Sequence, residues 1–400
     1  MKKINRFRNE IKAELKQSSE NKMAAYTGVI FVFVLAAVFL INLIVPDKSF
    51  SASENRMLQE FPSISVSNYF GGRLESKMES YVNDQFLMRG SFIKVKSAVD
   101  VTEGKLKANG VYRARDGYLI EDIVTPDQKT ITSAETALKN FKAKYPKLNM
   151  TFLLAPNAGN IMSDKLPITV SMADQNKSID DFYKNIKASG IKPIDVRKTF
   201  NKKKEDVQLY YRTDHHWTSD GAYLAYKAIV PALGAGMPME FESKVVKNDF
   251  AGTMYSKSGF TGGRYDSIKI NLPKNKKAAK PSVIYYGDTK KKTTKFYQLK
   301  NLDKKDAYTV FGGSNHPMYT VKTPTESNRR LLLIKDSYAN SVIPMLAQHY
   351  REIVVVDPRY YFDNVDDLIA SEGITDVLFL YNANTFFADD SLSMMFQYKK

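Results

Sequence analysis

From Ala24 to Val45 the chain reads AAYTGVIFVFVLAAVFLINLIV, 22 residues without a charge. About 20 apolar residues span the ~30 Å hydrocarbon core of a bilayer. A signal-peptide core is shorter, about 7–15 residues, and leads into a small-residue cleavage site. No such site follows, so the run predicts an uncleaved single-pass helix. Its apolarity on every face argues against a core helix of a soluble domain. Seven basic residues precede it (Lys2, Lys3, Arg6, Arg8, Lys12, Lys16, Lys22) against Glu10, Glu14 and Glu20, a net of +4. Beyond it, Asp47 and Lys48 cancel. The positive-inside rule then predicts residues 1–23 as a cytoplasmic basic tail, 24–45 as the span, and the rest as extracellular.

Of the chain's net charge of +16, +12 lies outside on this reading. Nucleic acid is thereby excluded as a partner. An anionic or neutral cell-surface polysaccharide, or the outer face of an anionic membrane, fits better. The lysine runs at 202–204, 274–280 and 290–292 would equally serve as a solvated surface. Cysteine is absent, which removes disulfides, thiolate zinc sites, iron–sulfur clusters and thiol nucleophiles. Only four histidines are present (His215, His216, His316, His349), which leaves few ways to hold a metal, and no metal or cofactor is expected.

Residues 46–107 read as a stalk followed by amphipathic helix, with Leu74, Met78, Tyr81, Phe86 and Leu87 near helical spacing. From 108 to 400 an α/β domain is expected. Asn109-Gly110 and Asp116-Gly117 are turn dipeptides that signal hairpins. Ile131–Tyr145 and Asp180–Ser189 read as helices, and Met150–Ala155 and Ile191–Val196 as buried strands. Residues 235–325 interrupt the rhythm and read as a β-rich insertion, with hairpins near Tyr265–Ile270 and Ser282–Tyr286. The alternation then returns. Strands are expected at Leu331–Ile334, Ile353–Val356 and Asp376–Leu380, with helices at Ser341–Tyr350 and Val365–Ser371. This pattern predicts a parallel sheet flanked by helices. Ligands of such sheets bind beyond the carboxyl ends of the strands, here Lys335-Asp336-Ser337, Asp357-Pro358-Arg359 and Tyr381-Asn382-Ala383-Asn384.

Two segments concentrate reactive groups. Tyr210–Thr218 (YYRTDHHWT) holds half the histidines and the only tryptophan. It leads into a helix that Thr218 or Ser219 can cap and Gly234 can end. Leu331–Ser341 is a strand running into Asp336-Ser337-Tyr338 and a helix, a turn that holds a serine exposed near free amide N–H groups. A serine nucleophile needs a base, and the base an orienting acceptor. In extended backbone Asp214 and His216 point to one face and His215 to the other. The residues thus allow a Ser337–His216–Asp214 triad, and equally allow structural roles for each.

DHHW followed by TSDGAYLAY resembles the signature of the DHHW proteins of bacterial envelopes. That group is similar to the alginate O-acetyltransferases of the AlgJ/AlgX type and, through them, to SGNH/GDSL hydrolases with permuted motif order. Asp214, His216 and Trp217 match the D-x-H-W segment; Asp336, Ser337 and Tyr338 match the G-D-S-[FY] segment. SASENRMLQEFP after the apolar run also resembles the start of these proteins. The resemblance implies Ser337 as nucleophile, His216 as base and acid, and Asp214 as orienting acid. It implies an oxyanion hole of the Ser337 N–H and an asparagine after the third strand, Asn382 or Asn384. It further implies a polytopic acyltransferase partner of the MBOAT type that supplies acyl groups. Lys335 stands where the hydrolases have Gly. Gly259, Gly262 and Gly263 are the candidates for a second backbone donor. Asp336 can cap or brace the turn.

Other residues carry two readings each. Arg212 and Arg359 can bind an anionic group or brace a neighbouring acid. Trp217 and Tyr338 can face a sugar or pack the core. Asn157 is a site residue or a turn residue. The expected function is an extracellular O-acyl, in particular O-acetyl, transferase or esterase acting on a surface polymer. The alternatives are a metal-dependent phosphoesterase, which lacks its Asp-x-Asp cluster here, and a non-catalytic tethered module that binds wall polymer or scaffolds an O-acetylation system.

Overall fold

A computed structural model describes residues 2–51, 56–64, 73–260 and 264–397. The chain forms two compact units, one of residues up to 51 with 55–93, the other of 52–54 with 94 onward.

In the first unit, helix α1 (Lys2–Ile44) contains Asn21–Ile44, a segment long and apolar enough to cross a membrane, with none of it buried. The chain then folds back along α2 (Arg73–Gln85). The Tyr81 hydroxyl donates to Asp47 (3.0 Å), and the Gln85 amide exchanges bonds with the Lys48 backbone. The Leu87 N–H donates to Asn42 of α1 (2.8 Å). The single amphipathic helix expected here is two. Met88, at φ 58°, breaks it, and α3 (Arg89–Thr102) starts afresh. Part of the expected stalk lies outside the described residues.

The second unit opens with a three-stranded antiparallel sheet, β1 (Lys107–Ala108), β2 (Val111–Arg113) and β3 (Leu119–Glu121). Its turns place Asn109 and Asp116 at positive φ (49° and 59°), the conformation that Asn and Asp tolerate best after Gly. Next come α4 (Gln128–Lys144), β4 (Asn149–Ala155), α5 (Gln175–Ala188), β5 (Lys192–Pro193) and α6 (Ser219–Leu233). Thr218 caps α6 by accepting from the Gly221 N–H, and Gly234 ends it at φ 66°. The strand expected over Ile191–Val196 shrinks to two residues, since Pro193 has no N–H to give a ladder.

The insertion contributes a long ribbon, β6 (Phe241–Phe250) with β7 (Asp266–Pro273), and then β8 (Val283–Tyr286), β9 (Lys292–Thr293) and β10 (Met318–Lys322). The final stretch supplies β11 (Arg330–Lys335), β12 (Glu352–Val356), α7 (Val365–Glu372), β13 (Asp376–Asn382), α8 (Ala383–Ala388) and α9 (Ser391–Gln397). The main sheet runs β9-β8-β10-β12-β11-β13-β4-β5. Five strands, β12 to β5, are parallel, while β10, β8 and β9 add on antiparallel. The expected parallel sheet forms its centre, and the sheet as a whole is mixed because the insertion extends one edge of it. The helix expected at Ser341–Tyr350 is a 3₁₀ turn (Ser337–Ser341) and one short helix (Ile343–Leu346). Pro344 has no N–H to give a longer helix.

Alternation along the strands sorts the core into two layers. Leu153, Leu331, Leu333, Ile353, Val355, Leu378 and Leu380 face one side, against Ala222, Ala225, Ile229 and Val230 of α6. Phe152, Leu332, Ile334, Val354, Val377 and Phe379 face the other, against α4, α5, α7 and α9. Each such buried aliphatic contributes about 1.5–3 kcal/mol, and burial on both faces explains why these strands read as continuous apolar runs.

Candidate active site

The carboxyl end of β11 continues into the 3₁₀ turn that holds Ser337. Asp336 is the N-cap: its Oδ1 accepts from the Tyr338 N–H (2.9 Å) and its Oδ2 from the Asn382 N–H at the end of β13 (2.8 Å). One carboxylate thus braces the serine turn and ties it to the next strand. Burial raises its pKa, against the opposing pull of Arg359 and the two N–H donors.

Residues 210–217 form a tight loop closed by a bridge between Tyr210 and Trp217. The Trp217 indole N–H donates to the Tyr338 carbonyl and to Ser341 Oγ, both at 3.0 Å, so the loop is fastened to the serine turn. His216 Nε2 lies 2.8 Å from Ser337 Oγ, and His216 Nδ1 lies 2.6 Å from Asp214 Oδ1. The three groups foreseen from sequence are in hydrogen-bonding line, with 121 residues of chain between His216 and Ser337. Ser337 stays half-buried while Asp214 and His216 are buried.

Burial alone would raise the Asp214 pKa. The two imidazoles, the His216 N–H and the Thr253 N–H outweigh it and hold the carboxyl well below its ordinary range. Asp214 Oδ2 accepts from both the N–H (2.8 Å) and the hydroxyl (2.9 Å) of Thr253. Gly252 precedes it, where a Cβ would come within 2.4 Å of the Asp214 Cβ. Only glycine lets the backbone approach this closely. Asp266 of β7 gathers the Arg212 N–H (2.9 Å), the Thr213 N–H (2.8 Å) and the Thr213 hydroxyl (2.7 Å), which sets the backbone entering Asp214. Tyr308 stacks on the His216 ring, centroids 3.6 Å apart at 10°, and its hydroxyl donates to the Ser337 carbonyl (3.4 Å). Gly252, Thr253, Asp266 and Tyr308 were not foreseen. All four lie in the insertion, whose sequence has no period that would aim them at Asp214 and His216; the one local cue was Gly252 directly ahead of a short helix that Thr253 opens (Thr253–Ser258).

The loop is not an extended strand, so the expected alternation fails for His215. Its ring packs against His216, centroids 3.9 Å apart, and its Nδ1 meets Thr253 Oγ1 at 2.7 Å. Asp214, His215 and His216 could offer ligand atoms within 4.8 Å of one another. Both ring nitrogens of His216 and both oxygens of Asp214 are, however, already held by protein hydrogen bonds.

The two asparagine candidates differ. Asn384 is spent at both ends: its Nδ2 donates to the Asp122 carbonyl (2.8 Å), and its Oδ1 accepts from the Val124 N–H (3.0 Å). Asn382 accepts through Oδ1 from Asn157 (3.2 Å) and from the Thr385 N–H (3.3 Å), while its buried Nδ2 has no partner among the described residues. A buried donor left unpaired costs about 1–3 kcal/mol. Asn157 is the hub of this network. It donates to Glu121 (3.0 Å) and Asn382 and accepts from Gln175 (2.8 Å).

The remaining candidates take structural placements. Trp217 and Tyr338 are fully buried, with the Tyr338 hydroxyl on the His215 carbonyl. Arg212 reaches the Asp116 carbonyl (3.1 Å) and Gln208 (2.8 Å), not Asp214. Arg359 grips Asp357 through Nε (2.9 Å) and Nη2 (2.7 Å). Lys335, in the glycine position of the motif, is buried with its Nζ 3.3 Å from Asp357, and burial lowers its pKa. Gly259 ends the short helix at φ 70°, and Gly262 and Gly263 lie outside the described residues.

A largely parallel sheet with a serine at one strand end and a preceding Asp-x-His segment folded onto it is an SGNH hydrolase-like architecture. Residues 113–262 match the family model of the SGNH hydrolase-like domain of the acetyltransferase AlgX. That segment holds Asp214, His216 and Thr253 but not Ser337. The fold is shared with PatB1 of Bacillus cereus, solved with a sulfonyl adduct (TM-score 0.60, 22% identity, 72% of this chain and 98% of that one). It is shared too with a DHHW family protein of Eubacterium siraeum (TM-score 0.59, 24% identity, 72% and 95%). No curated protein matches the chain. The resemblance read from the two motifs is the one these comparisons find.

Proposed function

We propose that the protein is a membrane-anchored extracellular O-acyltransferase or esterase that moves acyl groups, in particular acetyl, on a cell-surface polysaccharide or wall polymer. The observation that carries this reading is the line from Ser337 Oγ through His216 to Asp214. The AlgX domain match supports the reaction class.

In the first half-reaction His216 Nε2 takes the proton of Ser337 Oγ as the oxygen attacks the acyl carbon. The new ester forms at Ser337, the bond to the donor oxygen breaks, and His216 returns the proton to that oxygen. In the second, His216 takes a proton from an acceptor hydroxyl or water, whose oxygen attacks the acyl-serine, and Ser337 Oγ leaves with that proton. Asp214 fixes the Nδ1–H tautomer and stabilises the imidazolium. On this reading the Ser337 N–H and the unpaired Asn382 Nδ2 hold the oxyanion; loss of one such donor costs about 10²–10³ in rate. On this reading the acyl donor reaches the outside through a polytopic MBOAT-type partner, and α1 keeps the enzyme beside it.

The test is release of nitrophenolate from p-nitrophenyl acetate by the full chain in nanodiscs, with mass spectrometry of Ser337 after treatment with a sulfonyl fluoride. A labelled Ser337 and a release abolished by Ser337→Ala are expected. A chain that neither releases nor takes the label, yet sustains the cellular phenotype as Ser337→Ala, would be a tethered binding module.

A further inference from the structure

His215 has no part in the triad, yet its geometry is defined by it. Asp214 is held as a carboxylate and can only accept hydrogen bonds. Its Oδ2 therefore receives the Thr253 hydroxyl proton (2.9 Å). That hydroxyl has one proton, so its oxygen can only accept from His215 Nδ1, 2.7 Å away. His215 is thus fixed as the Nδ1–H tautomer, with a bare lone pair on Nε2. Among the described residues nothing donates to that lone pair. The Tyr338 hydroxyl pins the backbone by donating to the His215 carbonyl. The side chain is 23% exposed, and its ring lies 3.9 Å from that of His216, whose Nε2 is on the nucleophile. Burial and the neighbouring imidazole favour its neutral form.

An acceptor-only nitrogen beside the general base calls for a ligand that presents an O–H. We propose that His215 Nε2 is a subsite for the sugar that receives the acyl group: it accepts a hydrogen bond from the hydroxyl next to the reacting one, while His216 deprotonates the reacting hydroxyl. The pair of imidazoles would then select acceptors carrying neighbouring hydroxyls and favour them over water. His215 keeps its protonation state throughout; the proton moves only between the acceptor, His216 and Ser337. The inference rests on the acyl-serine reading above.

The test loads Ser337 of the full chain from p-nitrophenyl acetate and offers cellopentaose, whose every ring carries neighbouring 2- and 3-hydroxyls, as the acceptor. The nitrophenolate burst reports acylation, and mass spectrometry of the oligosaccharide reports transfer. Loss of one hydrogen bond is roughly a five- to tenfold effect, so in His215→Ala transfer should fall by about that factor more than the burst, with a raised KM for the acceptor. The pair His215→Gln and His215→Asn sharpens the test and serves if alanine disrupts the loop. Glutamine places its carbonyl oxygen near the Nε2 position and asparagine near Nδ1, so the first should retain transfer and the second should lose about as much as alanine. Equal losses of burst and transfer in both would show that His215 only braces the loop and would overturn the proposal. So would unchanged transfer in His215→Ala, or a wild type that hydrolyses acyl-Ser337 but never passes it to the oligosaccharide. Failure of the acyl-serine reading looks different: the wild type and Ser337→Ala would then give the same burst.

Discussion

At the scale of single residues, the proposed triad makes demands that can be measured. Ser337→Ala and His216→Ala should each lower turnover of an ester substrate by at least about 10³-fold, with little change in the unfolding midpoint for the exposed-side serine. Gly252→Ala should act through Asp214, since the added carbon would collide with that carboxyl. Both a lower melting temperature and a drop in kcat are expected, while Gly234→Ala, a helix-ending position far from this contact, should leave kcat alone. Asp306 offers a pH signature. Burial, and then the field of Asp214, push its carboxyl up to about 7. The unfolded chain releases that proton near 3.9. The folded state is thus fully favoured below about pH 4 and loses that advantage as the pH climbs to 7. Asp306→Asn should melt like the wild type at pH 4 and above it at pH 8, read by calorimetry across that range. The triad was legible because His, Ser and Trp are scarce or sharply placed and sit at element junctions. Tyr308, one of 24 tyrosines, could not be singled out, since only the folded insertion brings its ring onto His216.

At the scale of elements, the strand ends do what alternation along them dictates. Lys335 and Asp357 end adjacent parallel strands and meet as a buried pair, with Arg359 closing on the same carboxylate. A lysine can therefore replace the motif's glycine without disturbing the serine turn, which Asp336 caps on its own. The two partners should not be equivalent to mutation. Lys335→Met leaves Asp357 its bidentate arginine and should change stability by about 1 kcal/mol or less. Asp357→Leu strands a buried ammonium and should cost about 3–5 kcal/mol, a contrast that denaturant unfolding of the two variants reads directly. The strong strands and α6 were readable from apolar runs and capping residues. The antiparallel edge was not, because β8, β9 and β10 are short, polar-flanked and separated by loops. Nothing local in them says that β10 pairs with β12, carrying β8 and β9 with it, instead of the three forming a lobe of their own.

At the scale of the whole molecule, the apolar helix and the charge ahead of it set the expected topology. External protease applied to intact cells should consume the chain from about residue 46 onward and leave an N-terminal fragment that stays with the membrane through alkaline carbonate; a protected catalytic unit would reverse the assignment. The connectivity of the main sheet has a further outcome. β4 pairs along its whole length with β13, the last strand among the described residues, and β13 also delivers Asn382 beside the serine turn. A ribosome working from the N-terminus has already finished the histidine loop, the glycine contact and Ser337 before that strand exists. On the proposed reading, the nascent chain stays chemically silent during its manufacture, and its serine becomes competent only once β13 closes the sheet.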